Sequence, residues 1–120
     1  MGYIHELAHK LAKALQASPE NQTFQEARRR VKADSRAEKQ LLALRSKQWE
    51  LAALQAQGKT PDAEHLKALQ ELAAAVQANP VAREYVEAEA QLTQLWSEIN
   101  RILAEALGLP VAAQGSGPGR

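Results

Sequence analysis

Apolar residues recur at intervals of three and four along most of the chain, and apolar and polar residues almost never alternate. Those intervals are typical of amphipathic α-helices, whereas alternation would indicate β-strands. The first apolar stripe consists of Ile4, Leu7, Ala8, Leu11, Ala14 and Leu15. Further segments of the same kind follow, so we predict an all-α fold, a helical bundle of about five helices.

The predicted helices are separated by three dipeptides: Ser18-Pro19, Thr60-Pro61 and Asn79-Pro80. A Ser, Thr or Asn oxygen can accept hydrogen bonds from the exposed N–H groups of a first helical turn, and proline fits that turn because it has no N–H group. We expect each dipeptide to begin a helix. Either Asp34 or Ser35 is expected to cap the third helix, which should end at Gly58.

The fifth predicted helix carries the longest apolar pattern. Its apolar residues are spaced alternately by four and three, which is the heptad seam that pairs helices in coiled coils. They are Val81, Tyr85, Ala88, Leu92, Leu95, Ile99, Ile102 and Ala106. The third helix also has more apolar surface than one neighbour can cover. We therefore predict a homodimer or a larger even oligomer, with an interface formed by Leu44, Trp49, Leu92, Leu95 and Ile99.

We interpret residues 1–109 as a single helical domain. Residues 110–120 end in Gln-Gly-Ser-Gly-Pro-Gly-Arg and are predicted to be a disordered tail. No apolar run has the length of a membrane span, and the N-terminus lacks the pattern of a signal peptide. We therefore expect a cytoplasmic protein that has no membrane partner.

The composition excludes several kinds of chemistry. The chain has no cysteine, which excludes disulfides, thiolate zinc sites, cysteine-ligated iron–sulfur clusters and a cysteine nucleophile. The formal net charge of +1 indicates no class of partner. We predict that the protein binds no cofactor.

One motif matches a catalytic pattern. His5-Glu6-Leu7-Ala8-His9 has the H-E-x-x-H arrangement of zinc peptidases, in which two histidines bind zinc and the glutamate acts as a base. The apolar stripe of this helix predicts that both histidines face water, and no third ligand follows at the spacing of the extended motif. We predict no catalytic metal site here, and a metallohydrolase is our third interpretation.

A basic stretch covers residues 28–47, where eight basic and two acidic residues give a net charge of +6. The fifth helix is acidic, with five glutamates and two arginines giving −3. Nucleic-acid binding by residues 28–47 is one alternative, although no aromatic residues are interleaved to stack on bases. We favour protein binding and select Arg28, Arg29, Lys32 and Arg36 as candidate partner contacts.

The order of these elements carries a resemblance. It lies in A-H-K-L-A-K-A-L-Q-A-S-P-E at 8–20, F-Q-E-A-R-R-R-V-K-A-D at 24–34, Gly58-Lys59-Thr60-Pro61, Asn79-Pro80, and A-E-A-Q-L-T-Q-L-W-S-E-I-N-R-I-L at 88–103. From residue 4 to residue 107, the chain resembles the YlbF/YmcA family, small helical proteins of Gram-positive bacteria that include the YheA group.

The resemblance implies an all-α protein that oligomerises through paired long helices and supplies no catalytic residues. Members of the family act with a third protein, YaaT, in competence, sporulation and biofilm formation by modulating an endoribonuclease, RNase Y. Their complex is associated with cysteine-ligated iron–sulfur clusters, and a chain without cysteine cannot supply such ligands. We therefore predict a YheA-like, non-enzymatic scaffold or regulator that binds proteins, including those of an RNA-processing complex.

Overall fold

A computed structural model describes residues 2–110 of the chain, and its regular elements are five α-helices. They are α1 (Tyr3–Gln16), α2 (Pro19–Lys32), α3 (Ser35–Ala56), α4 (Ala63–Ala78) and α5 (Pro80–Leu107). The described residues contain no strand, so the predicted all-α class and the number of helices are confirmed. Residues 111–120 of the predicted tail lie outside the described part of the chain.

Local side-chain caps explain where most of the helices begin. Ser18 Oγ accepts from the backbone N–H of Asn21 at 3.2 Å, and α2 begins at Pro19. Asn79 Oδ1 accepts from the N–H of Val81 at 3.0 Å, and α5 begins at Pro80. These two predicted starts are confirmed. Of the two candidates at α3, the cap is Asp34, whose Oδ1 accepts from the N–H of Ala37 at 3.1 Å.

The prediction that Thr60-Pro61 begins a helix is wrong. The cap of α4 is Asp62, which accepts from the N–H of His65 at 2.9 Å, so the helix begins at Ala63. A carboxylate caps more strongly than a threonine hydroxyl because its negative charge also interacts with the helix dipole. The proline therefore lies in the connection between α3 and α4.

Glycines with positive φ end α3 and α5. Gly58 has a φ of 77° and Gly108 a φ of 71°, a left-handed conformation that costs glycine little. After Gly58, the N–H of Lys59 donates to Leu54 O at 2.9 Å, which is the six-residue hydrogen bond of a Schellman motif. Gly58 is therefore the stop signal that the sequence predicts.

The described residues divide into two compact units, to which α2 and α5 each contribute. Unit 2 is Ala27–Val86, and unit 1 contains the described parts of residues 1–26 and 87–120. Unit 2 has a small core in which Ala37, Val76 and Ala82 are almost fully buried. The half-buried residues packed against this core are Leu41, Leu44, Val81 and Val86.

Among the described residues, unit 1 buries smaller apolar side chains than unit 2. Its buried hydrophobic residues, among those described, are Ala88 and Ala104. No residue of α1 is buried, and the larger apolar side chains of the unit remain exposed or half-buried. The described residues of unit 1 therefore form no core of large side chains within a single chain.

Candidate protein-interaction site

Nine of the twelve large apolar residues that the described chain exposes belong to unit 1. We call this set the unit-1 apolar surface. It comprises Tyr3, Ile4, Leu7, Leu11, Trp96, Ile102, Leu103, Leu107 and Leu109. Ile4 is 78% exposed and Trp96 54% exposed. Exposed apolar side chains are typical of protein interfaces where they form a contiguous patch.

The residues of the predicted oligomer interface lie in both units. Leu92, Leu95 and Ile99 are half-buried in unit 1. In unit 2, Leu44 is half-buried because it packs on the core, whereas Trp49 is 69% exposed. The interface itself stays a prediction, and packing within its own chain leaves Leu44 less of its surface for a partner.

Sequence reasoning missed exposed residues of α5 beside the heptad seam. Trp96, Leu103 and Leu107 are exposed, and their spacing of seven and four residues places them on one helical face. That spacing could have shown this second stripe in the sequence. The unit-1 apolar surface also includes Leu7 and Leu11 of the first apolar stripe, which are 44% and 38% exposed.

A second candidate surface is a groove in unit 2 formed by α2, α3 and the beginning of α5. Its volume is about 160 Å³. The residues that line this basic groove are Arg28, Val31, Lys32, Glu38, Leu41, Leu42, Arg45 and Tyr85. Three cationic side chains and one carboxylate therefore surround a mainly apolar floor.

The four residues that were predicted to contact a partner do not line one common groove in the structure. Arg28 and Lys32 are exposed and line the basic groove. Arg36 is also exposed but borders a different cleft, beside Gln40 and Asn79. Arg29 is exposed and lies outside the residues that line these two clefts. The basic stretch of the sequence is thus distributed over several faces of unit 2.

The H-E-x-x-H motif lies in α1, where His5, Glu6 and His9 are all exposed. Across residues 2–110, no three or more His, Cys, Asp or Glu side chains are arranged to hold a metal ion. An exposed pair of histidines one helical turn apart lacks the enclosure and the third ligand of a catalytic zinc site.

A polar network joins α3 to the beginning of α4. His65 Nδ1 lies 2.7 Å from Asp62 Oδ1, and His65 Nε2 lies 3.1 Å from Glu50 Oε2. Lys47 Nζ donates to the other oxygen of Glu50 at 2.9 Å. Sequence reasoning missed this network, although the spacing of Asp62 and His65 is that of neighbours on a helix surface.

The network shifts the pKa values of His65, Asp62 and Glu50. The hydrogen bond from His65 to Asp62 raises the pKa of His65, and the charges of Asp62 and Glu50 act in the same direction. The backbone N–H of His65 lowers the pKa of Asp62. Hydrogen bonding and charge from Lys47 lower the pKa of Glu50, with a smaller contribution from His65. The arrangement therefore favours a protonated imidazole between two ionised carboxylates.

In the described part of the chain, no helix has the length and apolar character needed to cross a membrane.

The fold and these surfaces define a small all-α protein with exposed apolar residues in unit 1 and a basic groove in unit 2. The chain belongs to the YlbF/YmcA family, because its residues 4–108 match the family described as "Control of competence regulator ComK, YlbF/YmcA". The predicted resemblance is therefore confirmed over nearly the whole chain. This is a family of regulators of competence, and its description contains no enzymatic activity.

Relatives of similar length support this assignment. The chain is 34% identical over 104 residues to the UPF0342 protein STH1710 of Symbiobacterium thermophilum, covering 87% of this chain and 93% of the relative. It is 29% identical over 109 residues to a UPF0342 protein of Caldicellulosiruptor saccharolyticus, covering 91% of each chain.

A solved structure has the same fold. It is titled "Protein of Unknown Function (DUF964) from Bacillus stearothermophilus", with a TM-score of 0.79 and 24% sequence identity. The match covers 89% of this chain and 94% of the other. At that identity, the similarity concerns the fold alone.

Proposed function

We propose that this protein is a non-enzymatic cytoplasmic regulator or scaffold that acts by binding other proteins, including further copies of itself. The observation that carries the proposal is the unit-1 apolar surface. Among the described residues of unit 1, the large apolar side chains are exposed or half-buried, and the buried hydrophobic residues are alanines. Large apolar side chains exposed to water are unfavourable, and burying them against a partner favours association.

A second copy of the chain is the partner that we assign to the unit-1 apolar surface. The heptad seam at Leu92, Leu95 and Ile99 is half-buried, and exposed Trp96 and Leu103 flank it. Moving one large apolar side chain from water into an interface contributes about 1.5–3 kcal/mol. We therefore propose a homodimer or a larger even oligomer, in which Trp49 is an additional candidate contact.

The other partner, in this proposal, belongs to an RNA-processing endoribonuclease complex. Membership of a family of competence regulators supports this role, as does the separation of charge between residues 28–47, at +6, and α5, at −3. Such separation favours steering between protein surfaces. The absence of cysteine restricts the proposal to a role without an iron–sulfur cluster bound by this chain.

Direct binding of RNA by residues 28–47 is the competing interpretation. The basic groove is a poor match for a phosphate backbone because Glu38 lies among its lining residues and its floor is apolar. Proteins that bind single strands without sequence preference usually present aromatic side chains on which successive bases stack. We therefore propose that any effect of this protein on RNA is indirect.

Affinity capture from the native host, followed by mass spectrometry, tests the proposal. We expect the tagged protein to recover an endoribonuclease or proteins bound to it. The combined variant Arg28→Glu, Arg29→Glu and Lys32→Glu should lose this recovery but keep its helical circular dichroism and its oligomer mass. The control with the same change of net charge is Lys13→Glu, Lys59→Glu and Lys67→Glu, at exposed positions outside the basic groove and outside residues 28–47.

Two results would contradict this proposal. Purified protein that binds one RNA sequence tightly at physiological salt, without any partner, contradicts the proposal and supports the nucleic-acid alternative. A peptidase or nuclease activity in the purified protein also contradicts it.

A further inference from the structure

The basic groove differs from the unit-1 apolar surface in its charge and its construction. Its floor is held in place by packing: Val31 is buried, and Leu41 packs on the core of unit 2. One wall is Leu42, which is 63% exposed. A large apolar side chain left in water at the edge of a rigid groove can contact a ligand without any rearrangement of the core.

The size of the groove indicates what its floor can accept. A volume of about 160 Å³ is close to that of an apolar cavity that holds one benzene ring. One leucine or phenylalanine side chain therefore fits, whereas a whole helix does not. We therefore expect the groove to accept a single large apolar side chain of a partner.

The charges around the groove indicate which charges the partner should carry. Arg28 and Lys32 from α2 and Arg45 from α3 line it, with Glu38 as the one carboxylate among the lining residues. This cationic rim favours carboxylates on both sides of the apolar side chain, because complementary charge increases the rate of association and disfavours basic partners.

The secondary structure of this protein indicates which conformation of a partner fits the groove. The described residues form no strand, so an extended peptide finds no sheet edge with which to pair. Among the modes that need no sheet edge, an amphipathic helix whose apolar face lies in a groove between helices suits a groove that is lined by residues of α2, α3 and α5. We propose that the basic groove binds an acidic amphipathic helix of a partner protein, which inserts one leucine- or phenylalanine-sized side chain among the apolar lining residues Val31, Leu41, Leu42 and Tyr85.

This inference rests on the proposed protein-binding function and adds the chemistry of the partner. The groove residues are different from the predicted oligomer contacts Leu44, Trp49, Leu92, Leu95 and Ile99, so the inference is tested apart from self-association. RNA is the other polyanion that a basic groove could attract, but phosphates gain nothing from an apolar floor. The experiment therefore includes RNA as a competitor.

Selection from a display library of random peptides on the full chain tests the inference. The first variant, Arg28→Glu with Lys32→Glu, serves for counter-selection. We expect the enriched peptides to be acidic and to carry large apolar residues at intervals of three or four. Basic or uncharged enriched peptides, or no enrichment at all, overturn the inference.

Fluorescence anisotropy with the most enriched peptide measures the role of each part of the groove. We expect the charge-reversed double variant to bind about tenfold or more weakly, because two attractive charges become repulsive. Leu42→Ser should weaken binding by about tenfold, since it removes one wall of the apolar pocket. Because Leu42 is exposed, this variant should fold normally, which circular dichroism checks.

The matched control is Lys59→Glu with Lys67→Glu, which changes the net charge equally at exposed positions away from the groove and outside residues 28–47. It should change affinity by less than about threefold, because screening at physiological salt weakens distant charges. Equal losses in both double variants overturn the inference. So does displacement of the peptide by a single-stranded RNA of the same net charge at equal concentration.

The two proposals can fail separately. Peptides that bind equally well to the groove variants overturn the groove inference but leave a protein-binding function standing. Groove-dependent binding of acidic helical peptides, together with capture experiments that recover no endoribonuclease complex, leaves the inference standing and contradicts the proposed pathway.

Discussion

The ring of His65 joins two helices, with its Nε2 atom 3.1 Å from Oε2 of Glu50 in α3. Its other nitrogen, Nδ1, lies 2.7 Å from Asp62, the residue that caps α4. Both partners are carboxylates, which accept hydrogen bonds when ionised. Both contacts can therefore be hydrogen bonds only when both ring nitrogens carry protons, that is, when the imidazole is positively charged.

We expect this link to make the stability of the protein depend on pH. Because folding raises the pKa of His65 above its usual 6.5, the contribution of His65 is fully present below pH 6.5 and is lost as the pH rises through the raised value. The pKa values of Asp62 and Glu50 are lowered. Their contributions are present above their usual pKa values and are lost as the pH falls through the lowered ones.

The variant His65→Gln measures the contribution of this ring. Thermal unfolding followed by circular dichroism should show a lower Tm than in the unmodified protein at about pH 6, and a smaller difference at about pH 8.5. His9→Gln, at an exposed position of α1, is the control and should show no such dependence. A difference in Tm that is constant with pH would mean that the protonated ring is not the stabilising form.

We expect the purified protein to be a dimer or larger even oligomer at micromolar concentration, as measured by light scattering. Leu103→Asp should dissociate it, raising the dissociation constant by about a hundredfold or more, because burying an unpaired charge costs several kcal/mol. Since Leu103 is 51% exposed in one chain, the helical content should persist. Leu95→Asp, at a half-buried position, should both dissociate and destabilise the protein.

The control for this experiment is Leu66→Asp, the same substitution at an exposed position of unit 2. It should leave the oligomer mass unchanged. A monomeric mass for the unmodified protein contradicts the prediction, as does dissociation by Leu66→Asp alone.

Asn79 follows α4, and its side-chain amide connects α3 to the start of α5. Its Oδ1 atom caps α5, and its Nδ2 atom donates to Gln40 Oε1 of α3 at 2.9 Å. We expect Asn79→Ala to lower the free energy of unfolding by about 1–2 kcal/mol, because it removes both the cap and the hydrogen bond between helices. Urea denaturation provides the measurement.

Two further variants separate these contributions. Asn79→Ser keeps a capping oxygen and should lose only about 0.5–1 kcal/mol, and Gln40→Ala should have a loss of similar size. If Asn79→Ser is as unstable as Asn79→Ala, the cap contributes little to the start of α5.

We expect the H-E-x-x-H motif to have no catalytic role, since its side chains are exposed on α1. After treatment with a chelator and dialysis, the protein should contain well below one zinc ion per chain and should cleave no peptide substrate. Stoichiometric zinc that is lost together with a peptidase activity in His9→Ala would show this prediction to be wrong. His65→Ala serves as the control for an effect of removing any histidine.

Sequence alone determined the local features of this fold. The starts of α2 and α5 depend on Ser18 and Asn79, and a cap acts through backbone groups only two or three residues away. The end of α3 depends on Gly58, for the same local reason. The prediction was wrong at Thr60-Pro61, where a second capping residue, Asp62, lies two positions further on and the stronger acceptor prevails.

Only the tertiary structure decided which parts of each helix are covered, because burial depends on neighbours that are distant in sequence. Leu44 packs on the core while Trp49, five residues later on the same helix, stays exposed. Glu50 and His65 are separated by the whole connection between α3 and α4. The basic groove combines residues from Arg28 to Tyr85, and helical periodicity can give each helix an apolar face without specifying which other helix will meet it.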